Sequence, residues 1–121
     1  NILSPVELDL STSPPVMEDV TVCYSANTLH IISWELVETL FSHAASVLGG
    51  SGKLCVYGPF MFDGEHTSDG NREFDQHLRA SDPASGIREV ERLDQLAQET
   101  GFSSARRVAM PANNHLLVWD R

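Results

Sequence analysis

Basic residues are scarce: eight Lys and Arg stand against 17 Asp and Glu, a formal net charge of -9. A phosphate backbone would be repelled by the average surface of such a chain, so nucleic acid is not an expected partner. The one adjacent basic pair, Arg106-Arg107, reads as a solvated strand face. Only two cysteines occur, Cys23 and Cys55, each inside an apolar run and without metal-type spacing. That usage points to a reducing, cytoplasmic compartment. No apolar stretch approaches membrane-spanning length and no charged-then-apolar leader opens the chain, so a soluble, unsecreted protein with no membrane partner is expected. With eight Gly, six Pro and no repeat, collagen-like and disordered classes are excluded. What is present, 121 residues of which 41% are hydrophobic, suits one domain over 1–121. The opening Asn1-Ile2-Leu3-Ser4-Pro5 lacks an initiator Met and reads as a chain entered in the middle.

Glycine, proline and periodicity punctuate the chain. Val6 to Leu10 is a short extended run with Asp9 near its carboxyl end, closed by Ser11-Thr12-Ser13-Pro14-Pro15, where paired prolines forbid helix and interior strand. Val20 to Ser25 is β-branched and apolar on both faces, as a buried parallel strand should be. A helix is predicted from about Ser33, the cap, to Leu48, because Val37, Leu40, Phe41, Ala44 and Leu48 form one apolar stripe. Gly49-Gly50-Ser51-Gly52 ends it. Leu54 to Tyr57 is a second continuous apolar strand, stopped by Gly58-Pro59. Strand, helix, strand makes a right-handed βαβ unit with both strand carboxyl ends on one edge, where ligands of open α/β sheets bind. Residues 60–83 turn polar and read as a lid insertion: a loop over 63–70, then a short helix capped by Asn71. A second amphipathic helix is predicted from about Gly86 to Thr100, and a closing hairpin joins Ala105–Met110 to His115–Trp119 through Pro111-Ala112-Asn113-Asn114, whose asparagines tolerate positive φ.

This order, together with Asn27-Thr28-Leu29-His30-Ile31, Trp34-Glu35, Tyr57-Gly58-Pro59-Phe60, Asp63-Gly64-Glu65-His66-Thr67-Ser68, Asn71, Phe74-Asp75, Leu78-Arg79, Asp82-Pro83 and Met110-Pro111-Ala112-Asn113-Asn114, resembles a small methyltransferase-like family. The resemblance spans nearly the whole chain and implies an α/β fold: a partial, Rossmann-like class I methyltransferase sheet from its third strand onward, with a C-terminal antiparallel hairpin. It implies S-adenosylmethionine as cofactor and a small molecule or protein side chain as methyl acceptor. In that fold a glycine-rich turn after the first strand and an acid ending the second hold the donor first, and neither is here. Gly49-Gly50-Ser51-Gly52 follows a helix and precedes a strand, the reverse of such a turn. Catalysis by these residues alone is therefore not expected. Without the first strand, one side of the Val20–Ser25 strand would be left unpaired. A second copy of this chain, the displaced Val6–Leu10 segment or a separate N-terminal half would cover it.

Asp9 matches, by resemblance, the acid that contacts the cofactor's adenine amino group, while a solvated Asp before a proline-rich turn is the plainer account. Asn27 and His30 end the first buried strand at the ligand edge; His30 suits a general base and Asn27 a cofactor contact, although both residue types also cap backbone locally. Tyr57 and Gly58 end the neighbouring strand and are candidate substrate contacts, as is His66 in the polar segment. Asp63, His66, Asp69, Asp75 and His77 fit neither a calcium loop, whose sixth-position Gly falls on Ser68, nor a zinc site, so no metal is assigned. Cys23 and Cys55 read as small buried hydrophobes on neighbouring strands. His43 and His115 read as surface residues, and Trp34 and Trp119 as core or interface filling. The competing reading is a non-catalytic association module that pairs through its open sheet edge; a more distant one is another Rossmann-like nucleotide binder.

Overall fold

A computed structural model describes residues 7–12 and 16–121 of the chain. Its elements in order are β1 (Val20–Ala26), α1 (Trp34–Val47), β2 (Leu48–Gly58), β3 (Phe60–Phe62), β4 (Glu65–His66), α2 (Asp69–Ser81), β5 (Arg88–Glu89), α3 (Val90–Glu99), β6 (Arg106–Met110) and β7 (Asn114–Asp120). The main sheet has the order β1-β2-β7-β6, and a small second sheet the order β4-β3-β5.

β1 and β2 are parallel and adjacent, with Tyr24 opposite Cys55 and Ser25 opposite Val56. The predicted βαβ unit is therefore present, and α1 is its crossover. Ser33 caps α1 by accepting from the Leu36 N–H at 3.3 Å, and Val37, Phe41 and Ala44 bury its apolar stripe. β7 returns antiparallel to β2, and β6 closes the hairpin.

Register sorts the main sheet into two faces, since paired residues project the same way. The rows Cys23–Leu54–Trp119 and Ser25–Val56–Leu117 face α1 and α3. Trp119, Leu117, Leu54 and Val56 are buried there, and Phe41 meets Trp119 edge-on at 5.1 Å. The rows Tyr24–Cys55–Val118 and Ala26–Tyr57–Leu116–Val108 occupy the opposite face. Their side chains are half-buried or exposed; Tyr24 is 64% and Val108 46% exposed. Among the described residues β1 pairs only with β2 and so stands at the edge of the main sheet.

Four local expectations are corrected. Of the Val6–Leu10 run, Val6 lies outside the described residues and residues 7–10 form no strand. Asp9 instead opens a turn: its carboxylate accepts from the Ser11 N–H at 2.9 Å and the Ser11 hydroxyl at 2.6 Å, a local bond that competes with extended pairing. Gly49–Gly52 does not stop a helix but belongs to β2, where pairing jumps from Val20–Leu48 to Val22–Lys53 and the extra residues bulge out. The 63–70 segment is a tight hairpin, not an open loop. Asp63 (φ 52°) and Gly64 (φ 76°) turn it, and Ser68 rather than Asn71 caps α2, accepting from the Asn71 N–H at 3.0 Å. The second predicted helix starts at Val90, not Gly86, because Arg88 and Glu89 pair with Phe60 and Met61 as β5.

Candidate functional site

The carboxyl ends of β1 and β2 bring four of the predicted residues together. At Asn27 the chain leaves β1 with φ 53°, a left-handed conformation that Asn tolerates better than most residues. Its N–H still donates to the Tyr57 carbonyl at 2.9 Å, so the two strand ends remain tied. Asn27 itself is exposed. The next turn is closed by the Ile31 and Ile32 N–H groups, which both donate to the Thr28 carbonyl, at 2.9 and 3.2 Å. This turn tucks Leu29 into the core and sets His30 beside Gly58. A methyl placed on Gly58 would lie 3.7 Å from His30 Nδ1. From α2, Phe74 meets the imidazole edge-on at 5.6 Å.

His30 is buried, and its pKa is pushed below the ordinary histidine value, first by burial and then by the nearby Arg88 guanidinium. A histidine so placed is neutral at pH 7 and able to accept a proton. Tyr57 is half-buried, and its hydroxyl accepts from Asn114 Nδ2 at 3.1 Å. The hairpin tip meets the polar segment as well: Asn71 Nδ2 donates to the Asn113 carbonyl at 3.1 Å and to Thr67 Oγ1 at 3.0 Å.

His66 belongs to β4. Its Nε2 is 3.3 Å from Asp75 Oδ2, its side chain is nine-tenths buried, and its Nδ1 is buried without a hydrogen-bond partner. Asp75 is the hub of α2, accepting also from the Ile87 N–H at 2.8 Å and from Arg79 Nε at 3.1 Å. Asp9 is exposed and bonds locally to Ser11 and Thr12. The two bonds from Ser11 hold its carboxyl below the usual carboxylate value, the hydroxyl contributing most.

Cys23 and Cys55 are free and half-buried, and burial raises the Cys23 thiol above the ordinary cysteine value. His43 and His115 are half-buried; His115 stacks on Phe62 with centroids 4.6 Å apart and is likewise held low, mainly by burial. Trp119 is core, and its indole N–H donates to Asp94 at 2.8 Å. Trp34 is half-buried under the Arg92 guanidinium, 3.8 Å from its ring centre. No group of three metal-ligating side chains occurs among the described residues. Among those residues no helix is long and apolar enough to cross a membrane.

Sequence reasoning missed Arg88 and Phe74 as site residues, and Asp75 as an anchor. Arg88 is buried at the edge of the small sheet, and its carbonyl partners at Leu29 and Ile32 lie far away in sequence, which leaves no motif. The only signal was a charged residue directly after the apolar Ile87.

Solved structures share this fold. A putative O-methyltransferase from Nostoc punctiforme superposes with a TM-score of 0.76 at 18% identity, over 86% of this chain and 32% of that one. The S-adenosylmethionine-dependent methyltransferase SibL gives 0.75 at 22% identity, over 94% and 34%. Human N-acetylserotonin methyltransferase, solved in complex with its methyl donor, gives 0.78 at 14% identity, over 96% and 33%. At these identities the likeness establishes the fold: a mixed α/β domain similar to the carboxyl-terminal part of such methyltransferases. The chain spans about a third of the length of these structures. A family model described as "Protein of unknown function (DUF938)" matches residues 1–121, and the chain belongs to that family.

Proposed function

We propose that this chain is the carboxyl-terminal portion of an S-adenosylmethionine-dependent methyltransferase acting on a small molecule or a protein side chain. The observation that carries the reading is the convergence of Asn27, His30 and Gly58 on one sheet edge, at the carboxyl ends of two parallel strands. Crevices at that edge are where open α/β sheets take their ligands. The residues present fit part of a donor site: Asn27 offers an exposed amide at the strand end, and the glycine at position 58 leaves room for close approach.

S-adenosylmethionine, when bound, supplies an electrophilic methyl group. The work of the chain's own residues is then positional and acid–base. Asn27, and Asp9 from the segment before β1, hold the donor. His30, neutral at physiological pH, accepts the proton of an acceptor hydroxyl or amine at its imidazole nitrogen. Tyr57, Gly58 and His66 contact the acceptor, and residues 60–83 act as a lid that excludes water and aligns the two reactants.

The glycine-rich turn and the second-strand acid belong to a front half of the sheet. The free side of β1 and the open face that carries Tyr24, Val22 and Val108 are its seat. Beside β1 an apolar groove of about 370 Å³ runs between the strand and α1, lined by Leu8, Leu10, Val22, Leu40 and Val47. A strand pairing with β1 and helices on the open face would give this sheet the two-sided cover that parallel strands require. These 121 residues without that half are accordingly inactive. A second copy seated in the groove instead would appear as a dimer in light scattering.

Titration calorimetry with S-adenosylhomocysteine tests the reading. Heat of binding that weakens in Asn27→Ala and Asp9→Ala is expected. The open apolar face also favours a non-catalytic association module, and that reading predicts no heat at concentrations far above micromolar.

A further inference from the structure

Arg88 is 8% exposed, and among the described residues no carboxylate lies within ion-pair distance of its guanidinium. A buried, permanently charged group without a counter-ion is costly unless every donor is used well. Here three of the five donors are spent on main-chain carbonyls. Nε donates to Leu29 at 3.0 Å, and one terminal nitrogen donates to Ile32 at 2.6 Å and to Ala84 at 2.9 Å. Leu29 and Ile32 bracket His30 in the turn that leaves β1. The same stretch that carries Arg88 also grips His30 directly, for the Gly86 N–H donates to the His30 carbonyl at 2.9 Å. Asp75 of α2 holds that stretch in turn by accepting from the Ile87 N–H.

We propose that Arg88 is the positioning residue of the site: its planar fork gathers the carbonyls on either side of His30 and fixes the turn that presents the imidazole beside Gly58. The proposal rests on the reading of His30 as the proton acceptor. A guanidinium suits the task because it offers several donors in one rigid plane, where a lysine ammonium is a single point of charge. The charged groups around it are Arg79, Arg92, Asp75 and Glu35. Of these elements, Arg88 itself is the charge that acts on His30. Its cation therefore has two effects, fixing the ring's place and disfavouring its protonation.

The test needs no ligand, so it is independent of donor binding. In the full chain, the His30 ring is titrated by NMR, and amide exchange is followed at Ile31, Ile32 and Gly86, with Leu54 and Val56 as reporters of global opening. In Arg88→Met the His30 midpoint is expected to rise toward the ordinary histidine range. Protection at the three turn amides should fall about tenfold or more while the β2 amides hold, in line with the loss of charged hydrogen bonds. Arg88→Lys keeps the cation and loses the fork: turn protection falls, and the His30 midpoint moves less than in Arg88→Met. Wild-type protection of the turn in Arg88→Lys overturns the proposal whether or not Arg88→Met folds. An unmoved His30 midpoint in a folded Arg88→Met overturns it as well. A chain that passes these tests but gives no heat with S-adenosylhomocysteine would lose the methyltransferase reading and keep the Arg88 assignment.

Discussion

His30 and His115 are both disfavoured as cations in the folded chain, His30 by burial and then Arg88, His115 by burial and then Arg107. Their folded pKa values lie below the unfolded value of about 6.5, so the unfolded chain binds the extra protons. Stability from these groups is complete above that value and declines as the pH falls from it toward the depressed folded values. Urea midpoints should drop between about pH 7 and about pH 5, and His30→Gln should flatten the drop. A wild-type profile level across that range contradicts the assignment. Gly58 tests the same neighbourhood sterically. A methyl there meets His30 Nδ1 at 3.7 Å and the Asn27 nitrogen at 4.0 Å, both ordinary contacts, so Gly58→Ala should leave the His30 ring resonances in place. Gly58→Val adds branches that have no such room, and a cost of about 1–3 kcal/mol with displaced His30 resonances is expected. Unmoved resonances in Gly58→Val would separate the two residues. At this scale the sequence named His30, Asn27, Tyr57 and Gly58, because strand ends are legible from where apolar runs stop. Arg88 was not legible, since its carbonyl partners at Leu29 and Ile32 lie 59 and 56 residues away and any side chain could have supplied them.

At the scale of elements, β1, α1, β2 and the final hairpin follow directly from patterning. Continuous apolar runs marked the two parallel strands, and an i, i+3, i+4, i+7 stripe with Ser33 before it marked the helix. The short pieces did not follow. β3, β4 and β5 are three, two and two residues long, too brief for any period to register, and β5 is set by pairing with Phe60 and Met61. The hairpin turn between β6 and β7 was placed correctly, but the left-handed residues are Ala112 (φ 62°) and Asn113 (φ 58°), while Asn114 (φ -99°) is already extended. An alanine in that conformation costs about 1–2 kcal/mol, whereas glycine would adopt it freely at an entropic cost of about 0.4–1 kcal/mol. Ala112→Gly is therefore expected to raise stability by about 0.5–1 kcal/mol, read as a higher urea midpoint. A lower midpoint would show that the turn is not strained.

At the scale of the whole molecule, and among the described residues, the sheet is covered on one face by α1 and α3 and open on the other, with β1 unpaired along one side. A parallel pair is ordinarily buried on both faces, and the proposed reading has another portion of sheet cover this one. The βαβ unit was legible from two apolar runs flanking a helical stripe. The central claim is that the edge formed by Asn27, His30 and Gly58 takes the methyl donor. The most direct measurement is an amide NMR titration of the chain with S-adenosylhomocysteine to about 5 mM, where even a Kd of about 1 mM is mostly saturated. The account predicts saturable shifts centred on residues 27–30 and 57–58 that shrink in Asn27→Ala. Shifts confined elsewhere, or none at that concentration, would contradict it.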